Sequence, residues 1–142
     1  MRSRSTSAAS HPFSVRLGKA ADLLVREEVR RLGRSRSSVV EELTEEAAKT
    51  RLFPGVAFRG NPRRAWAIGT GLDLWEILRL DESFAEDATA FRRAHPKVTA
   101  KHIRLARTYS ERFPDDLSPF LEAGDRPLAE FLALYPFFEP PR

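Results

Sequence analysis

Phe13-Ser14-Val15-Arg16-Leu17 alternates apolar and polar residues strictly, the period of a β-strand with one buried face. Phe13, Val15 and Leu17 share that face, and Ser14 and Arg16 point the other way. Gly18 breaks the strand. Lys19 to Leu32 then places Ala21, Leu24, Val25, Val29 and Leu32 close to the 3, 4 spacing of an amphipathic helix, which Gly33 caps. Ser35 or Ser37 can cap a second helix that runs to about Thr50, with Val39, Val40, Leu43 and Ala47 as its apolar stripe and Glu41 favoured in its first turn by the helix dipole. One strand and two helices cannot bury that strand or pair its edge. Two chains pairing residues 13–17 antiparallel would do both, as an obligate homodimer with a two-stranded ribbon lying on four helices and Ser14 and Arg16 of each chain facing outward.

Working outward, residues 1–12 are rich in Ser and Arg, show no apolar period, and read as a disordered arm. Beyond the first domain (13–51), Val56-Ala57-Phe58 and Ala65-Trp66-Ala67-Ile68 flank a Gly60-Asn61-Pro62 turn and predict a hairpin. Asp73 can cap a helix over Leu74–Leu80, Ser83 one over Phe84–Ala94, and Thr99 one over Ala100–Phe113 after the His95-Pro96 break. Residues 52–117 thus form a second small helical domain. Residues 118–142 are set apart as an acidic, aromatic-rich tail for a partner. The fold class is mainly α with short β elements.

The 142 residues carry 24 Lys/Arg and 20 Asp/Glu, a net charge of +4. That excess belongs to the body: residues 114–142 hold only Arg126 and Arg142 against six carboxylates. A basic body favours a polyanionic partner, and an acidic tail favours a different one. No cysteine is present, which excludes disulfides, thiol catalysis and sulfur-ligated zinc. No apolar run approaches the roughly 20 residues of a membrane span, and the first residues lack the apolar core of a secretory signal, so a cytoplasmic protein without a membrane partner is expected.

No constellation supports an enzyme. Gly69-Thr70-Gly71 lacks the remaining residues of a phosphate loop and reads as a turn before a helix cap. His11, His95 and His102 are scattered, so neither a metal nor a cofactor is expected. The adjacent pairs Asp81-Glu82, Glu86-Asp87 and Asp115-Asp116 sit at expected helix starts, where the dipole accounts for acid. Trp66 and Trp75 read as core residues.

What remains is recognition. In the docking mode implied by the resemblance of residues 13–50 to the ribbon-helix-helix family, a two-stranded ribbon enters the major groove of DNA, where Arg16 can reach guanine O6 and N7 and Ser14 a base or phosphate. Arg34, Ser35, Arg36 and Ser37, at the start of the second helix, make a phosphate clamp that fixes the depth of the ribbon. Lys101, Arg104 and Arg107 share a helix face and form a possible second DNA surface, with Ile103, Ala106 and Tyr109 inward. In the tail, Phe120, Leu128, Phe131, Leu132, Tyr135, Phe137 and Phe138 supply apolar bulk for a partner groove, with Arg126 and Arg142 available to pair with carboxylates there.

The Ser14-Val15-Arg16-Leu17 strand, the Gly33-Arg34-Ser35-Arg36-Ser37 junction and the Val39-Val40 helix start resemble the ribbon-helix-helix family of MetJ- and Arc-like DNA-binding proteins over residues 13 to about 50. Residues 56–113 resemble the domain-of-unknown-function 433 family: a Pro-Gly-Val start, a hairpin, the Gly69-Thr70-Gly71-Leu72-Asp73-Leu74-Trp75-Glu76-Ile77-Leu78 helix entry, an acidic helix, and Pro96-x-Val98-Thr99 leading to Ile103, Ala106 and Tyr109. That second resemblance implies a helix-turn-helix-like fold. Together they imply a VapB-like antitoxin of a type II toxin-antitoxin pair, one that inhibits a PIN-like ribonuclease toxin and represses its own operon by binding operator DNA. A higher assembly with the toxin is also implied. The alternative is a stand-alone ribbon-helix-helix repressor whose tail completes its own core.

Overall fold

A computed structural model describes residues 11–85 and 87–124. Among them lie six helices and one two-stranded sheet, so the chain is mainly helical with a small β component. The chain divides between Thr44 and Glu45 into two compact units. That division falls inside a helix rather than after residue 51. The last turns of the helix are tied to the second unit by Lys49, whose Nζ lies 2.8 Å from Asp116 and 4.6 Å from the centre of the Phe113 ring, and by Glu46, which accepts from Arg63 at 2.7 Å.

The first unit holds α1 (Lys19–Leu32) and most of α2 (Arg36–Leu52). The α1 bounds match the expected ones because both ends are set locally. Gly33 adopts φ +64°, which costs a residue without Cβ little, and its N–H closes on the Val29 carbonyl at 2.9 Å. In the single chain the expected stripe is only partly covered. Val25 is buried and Val29 and Leu32 are half-buried, but Ala21 and Leu24 face solvent and half-buried Asp22 lies on the inner side. Asp22 turns inward because it bonds Arg36 at 2.6 Å at the start of α2. On α2, Val39 is buried, Val40 and Leu43 are half-buried, and Ala47 is exposed where Lys49 takes the buried place. Residues 11–18 form no strand in the single chain, where no edge among the described residues pairs with them.

The second unit is built around the hairpin β1 (Val56–Arg59) and β2 (Arg64–Ala67), in the register Val56↔Ala67, Ala57↔Trp66, Phe58↔Ala65 and Arg59↔Arg64. Val56, Ala65 and Ala67 are buried against α3 (Leu74–Ser83), α4 (Ala88–Ala94), α5 (Ala100–Arg112) and α6 (Pro114–Gly124). Leu74, Ile77, Phe91, Val98, Ala106, Tyr109 and Leu117 fill the core. The Thr70 hydroxyl donates to the Ala67 carbonyl at 2.8 Å and accepts from Leu72 N–H at 3.0 Å, so Gly69-Thr70-Gly71 is a structural turn.

Two expected elements shift. The α3 helix continues to Ser83, whose hydroxyl turns back onto the Arg79 carbonyl instead of capping forward, and α4 starts at Ala88 under Asp87, whose carboxylate accepts from Ala90 N–H at 2.8 Å. At the other end, α6 runs straight through the expected 117/118 boundary. Pro114 suits a first helical position, Asp115 and Asp116 complement the dipole, and Leu117 is buried, so the chain folds back on its own core to residue 124.

Candidate nucleic-acid interface

The residues expected to read DNA lie in the first unit. Ser14 and Arg16 are exposed, and so are the large side chains on the face they alternate with: Phe13 is 84% and Val15 65% exposed. On α1, Leu23 (54%) and Leu24 (61%) are bare as well. Four large apolar groups therefore remain in water when the unit is alone. At about 25 cal/mol per Å² of apolar surface, covering them is worth several kcal/mol.

The clamp residues are present but occupied. Arg34 donates to Glu42 at 2.6 Å and to the Ser38 hydroxyl at 2.7 Å, Arg36 donates to Asp22, and the Ser35 hydroxyl accepts from Ser38 N–H at 3.2 Å; Ser37 is exposed. Asp22 also pairs with Arg26. The Arg36 hydrogen bond, helped by Arg26, holds the Asp22 carboxyl below its ordinary value. These pairs are exposed, and such pairs contribute about 0–1 kcal/mol, so a phosphate can take either guanidinium at little cost. An open cleft of about 500 Å³ beside α1, lined by Leu23, Arg26, Val29, Arg30 and Arg36, adds further positive charge to this unit.

The second basic surface is less encumbered. Thr99 caps α5 as expected, its hydroxyl accepting from His102 N–H, while the His102 ring accepts from Thr99 N–H at 3.0 Å, so this histidine is a cap. Ile103 is half-buried, Ala106 and Tyr109 are buried, and Lys101 and Arg104 are exposed on the far side. Arg107 is exposed but pairs with Asp81 on α3. Arg92, Arg93 and Lys97, which the sequence reading passed over, are exposed as well. The signal for them was the local charge balance. Between Ala88 and Arg112 the only carboxylate is Glu111.

Two polar centres of the second unit also escaped the sequence reading. Asp73, expected only as a cap, is 4% exposed and receives Arg59 at 2.9 Å, Arg64 at 2.7 Å and the Trp75 indole N–H at 3.3 Å; Arg59 also lies over Trp66, 4.7 Å from the ring centre. Trp66 and Trp75 are accordingly half-buried, each with a polar neighbour, rather than wholly core. Near α6, Asp116 accepts from both Lys49 and the Tyr109 hydroxyl. Burial and the Asp116 contact push the Tyr109 hydroxyl far above its ordinary value. Burial pulls the Lys49 ammonium down, but its bonds to Asp116 and Glu45 outweigh that and leave it raised.

No family model matches the chain, and no curated protein or solved structure matches it.

Of the partner residues expected in the tail, only Phe120 is described. Its ring stacks on Trp75, 6.5 Å between centres, next to Leu121, whose carbonyl accepts from Arg79 at 2.7 Å. Phe120 is thus half-buried on its own unit, because α6 carries it there. Arg126, Leu128, Phe131, Leu132, Tyr135, Phe137, Phe138 and Arg142 lie outside the described residues. Among the described residues no three His, Asp or Glu side chains gather as a metal site, and no helix is long and apolar enough to cross a membrane.

Proposed function

We propose that the chain acts as a homodimeric DNA-binding repressor of the ribbon-helix-helix kind and as the antitoxin of a PIN-like ribonuclease toxin. The observation that carries the DNA half is the bare apolar face of the first unit: Phe13, Val15, Leu23 and Leu24 have nothing to cover them in one chain. A second copy covers them by pairing residues 13–17, and that pairing turns Ser14 and Arg16 of both chains to one side. The ribbon enters the major groove, and Arg34 and Arg36 exchange their carboxylate partners for phosphates. The antitoxin half rests on the aromatic composition of residues 118–142, where four carboxylates stand against two arginines, and on the family resemblances. Light scattering on the full chain, together with its affinity for the DNA upstream of its own gene, tests the first half. A dimer that prefers this DNA over random duplex is expected, and a monomer without preference refutes it.

One observation favours a stand-alone repressor. Phe120 and Leu121 pack on the chain's own second unit, so part of the apolar tail is committed before any partner arrives. A small nuclease gene beside this one, whose product co-purifies with the chain, decides for the antitoxin.

A further inference from the structure

Between Ala88 and Arg112 the chain bears seven Lys/Arg and one carboxylate. Five of these cations, Arg92, Arg93, Lys97, Lys101 and Arg104, are exposed and have no ion-pair partner among the described residues. In the first unit Arg26, Arg34 and Arg36 sit on carboxylates, while Arg16, Lys19 and Arg30 are exposed without an ion pair among the described residues. Fold stability does not explain the unpaired set. Five like charges within thirteen residues repel one another, and Lys101 stands in the first turn of α5, where the helix dipole disfavours a cation and no acid is present to offset it.

The kind of partner follows from what the surface lacks. A protein interface needs apolar or aromatic anchors at its centre and is depleted in lysine. None of the exposed large apolar side chains of the described chain lies between Ala88 and Arg112. Contacts to phosphate need cations alone, and at roughly 1.5 Å rise per residue the α5 helix offers Lys101 and Arg104 along one outward stripe with Thr108. We infer that the exposed, unpaired cations of α4 and α5 make a second, sequence-independent contact to the phosphate backbone of duplex DNA. The inference rests on the proposed DNA-binding role but not on the ribbon. The second unit adds affinity and salt sensitivity without adding base readout.

The test compares the full chain with an Arg93→Ala/Lys101→Ala/Arg104→Ala variant on two duplexes of about 30 base pairs, one from upstream of the gene and one of random sequence, between about 50 and 200 mM salt. Each lost phosphate contact removes about 0.9 from the salt slope, so the variant's slope should be shallower by about 2.7 per bound chain. For each chain that binds, the wild type should then lose about 40-fold more affinity than the variant over that salt range, equally on both duplexes. A charge-conserving double variant, Lys101→Arg with Arg104→Lys, should keep the wild-type slope. Helical signal and melting temperature are measured on every variant, and exposed alanines in helices should leave both unchanged. An unchanged slope in a folded triple variant overturns the inference, as does a loss confined to the upstream duplex. Failure of the ribbon reading looks different: an Arg16→Ala chain would still prefer upstream DNA while the triple variant still lost its salt dependence.

Discussion

Asp73→Asn removes one negative charge and almost no volume, and it keeps a side chain that can cap α3. In the wild type the carboxylate, only 6% exposed, receives Arg59 on one oxygen and Arg64 and the Trp75 indole on the other. A hydrogen bond to a charged group contributes about 1.5–3 kcal/mol when fully buried. The guanidinia here are 37% and 31% exposed, so water recovers part of that, leaving about 1 kcal/mol for each arginine. The amide NH2 then faces a donor, for about 1 kcal/mol more, and the total loss is about 3 kcal/mol. For a unit of this size that lowers Tm by more than roughly 10 °C. Thermal and urea unfolding measure it, with tryptophan emission as a second readout, because the one oxygen the amide keeps can serve Arg59 above Trp66 or the Trp75 indole but not both. A loss below about 0.5 kcal/mol, or unchanged emission, would refute the view that Asp73 fastens the hairpin to α3.

Val15→Asp should abolish the dimer and DNA binding together, because it places an unpaired charge on the apolar face of the expected ribbon; sedimentation and DNA affinity on one preparation check this. Deleting residues 125–142, which spares all of α6, should leave DNA binding intact and abolish capture and inhibition of the proposed toxin, checked by co-purification and RNA cleavage with the product of an adjacent nuclease gene; equal inhibition by both forms moves toxin binding into residues 56–113. The second unit should weaken at alkaline pH. Lys49 and Tyr109 both have raised values in the folded chain, so the stability they lend is complete below their ordinary values of 10.5 and 10.0 and is lost as pH climbs through the folded ones. Urea titrations from about pH 9 upward should show this fall, and Tyr109→Phe should make it shallower.

Helices whose ends are set by neighbouring residues were legible in the sequence: α1 up to Gly33, α2 from Ser35, α5 from Thr99. The hairpin was legible too, because its turn residues and alternation are local. Choices between competing local signals went astray. Ser83 and Asp87 both suit a cap, and only packing decides that Ser83 turns back to Arg79 while Asp87 opens α4. The 117/118 boundary fails for a like reason, since α6 carries Pro119 in its interior and the burial of Leu117 holds that helix on the core. The Asp73 cluster depends on hairpin register, which sets Arg59 opposite Arg64, and a register is not a property of either residue. Lys49 was invisible for the same reason, since its partner Asp116 lies 67 residues away. Of the candidate site, Ser14, Arg16 and the Arg34–Ser37 junction stand exposed in the first unit, but their joint face exists only if two chains meet.

That face is the central claim, and Arg16 tests it most directly. DNA affinity and molecular mass are measured together for the wild type and Arg16→Ala, on duplex from upstream of the gene at physiological salt. The account predicts an intact dimer whose preference for that duplex is lost, a cost of roughly 1–3 kcal/mol per chain for a bidentate base contact. A dimer that binds the upstream duplex as tightly as the wild type would contradict it.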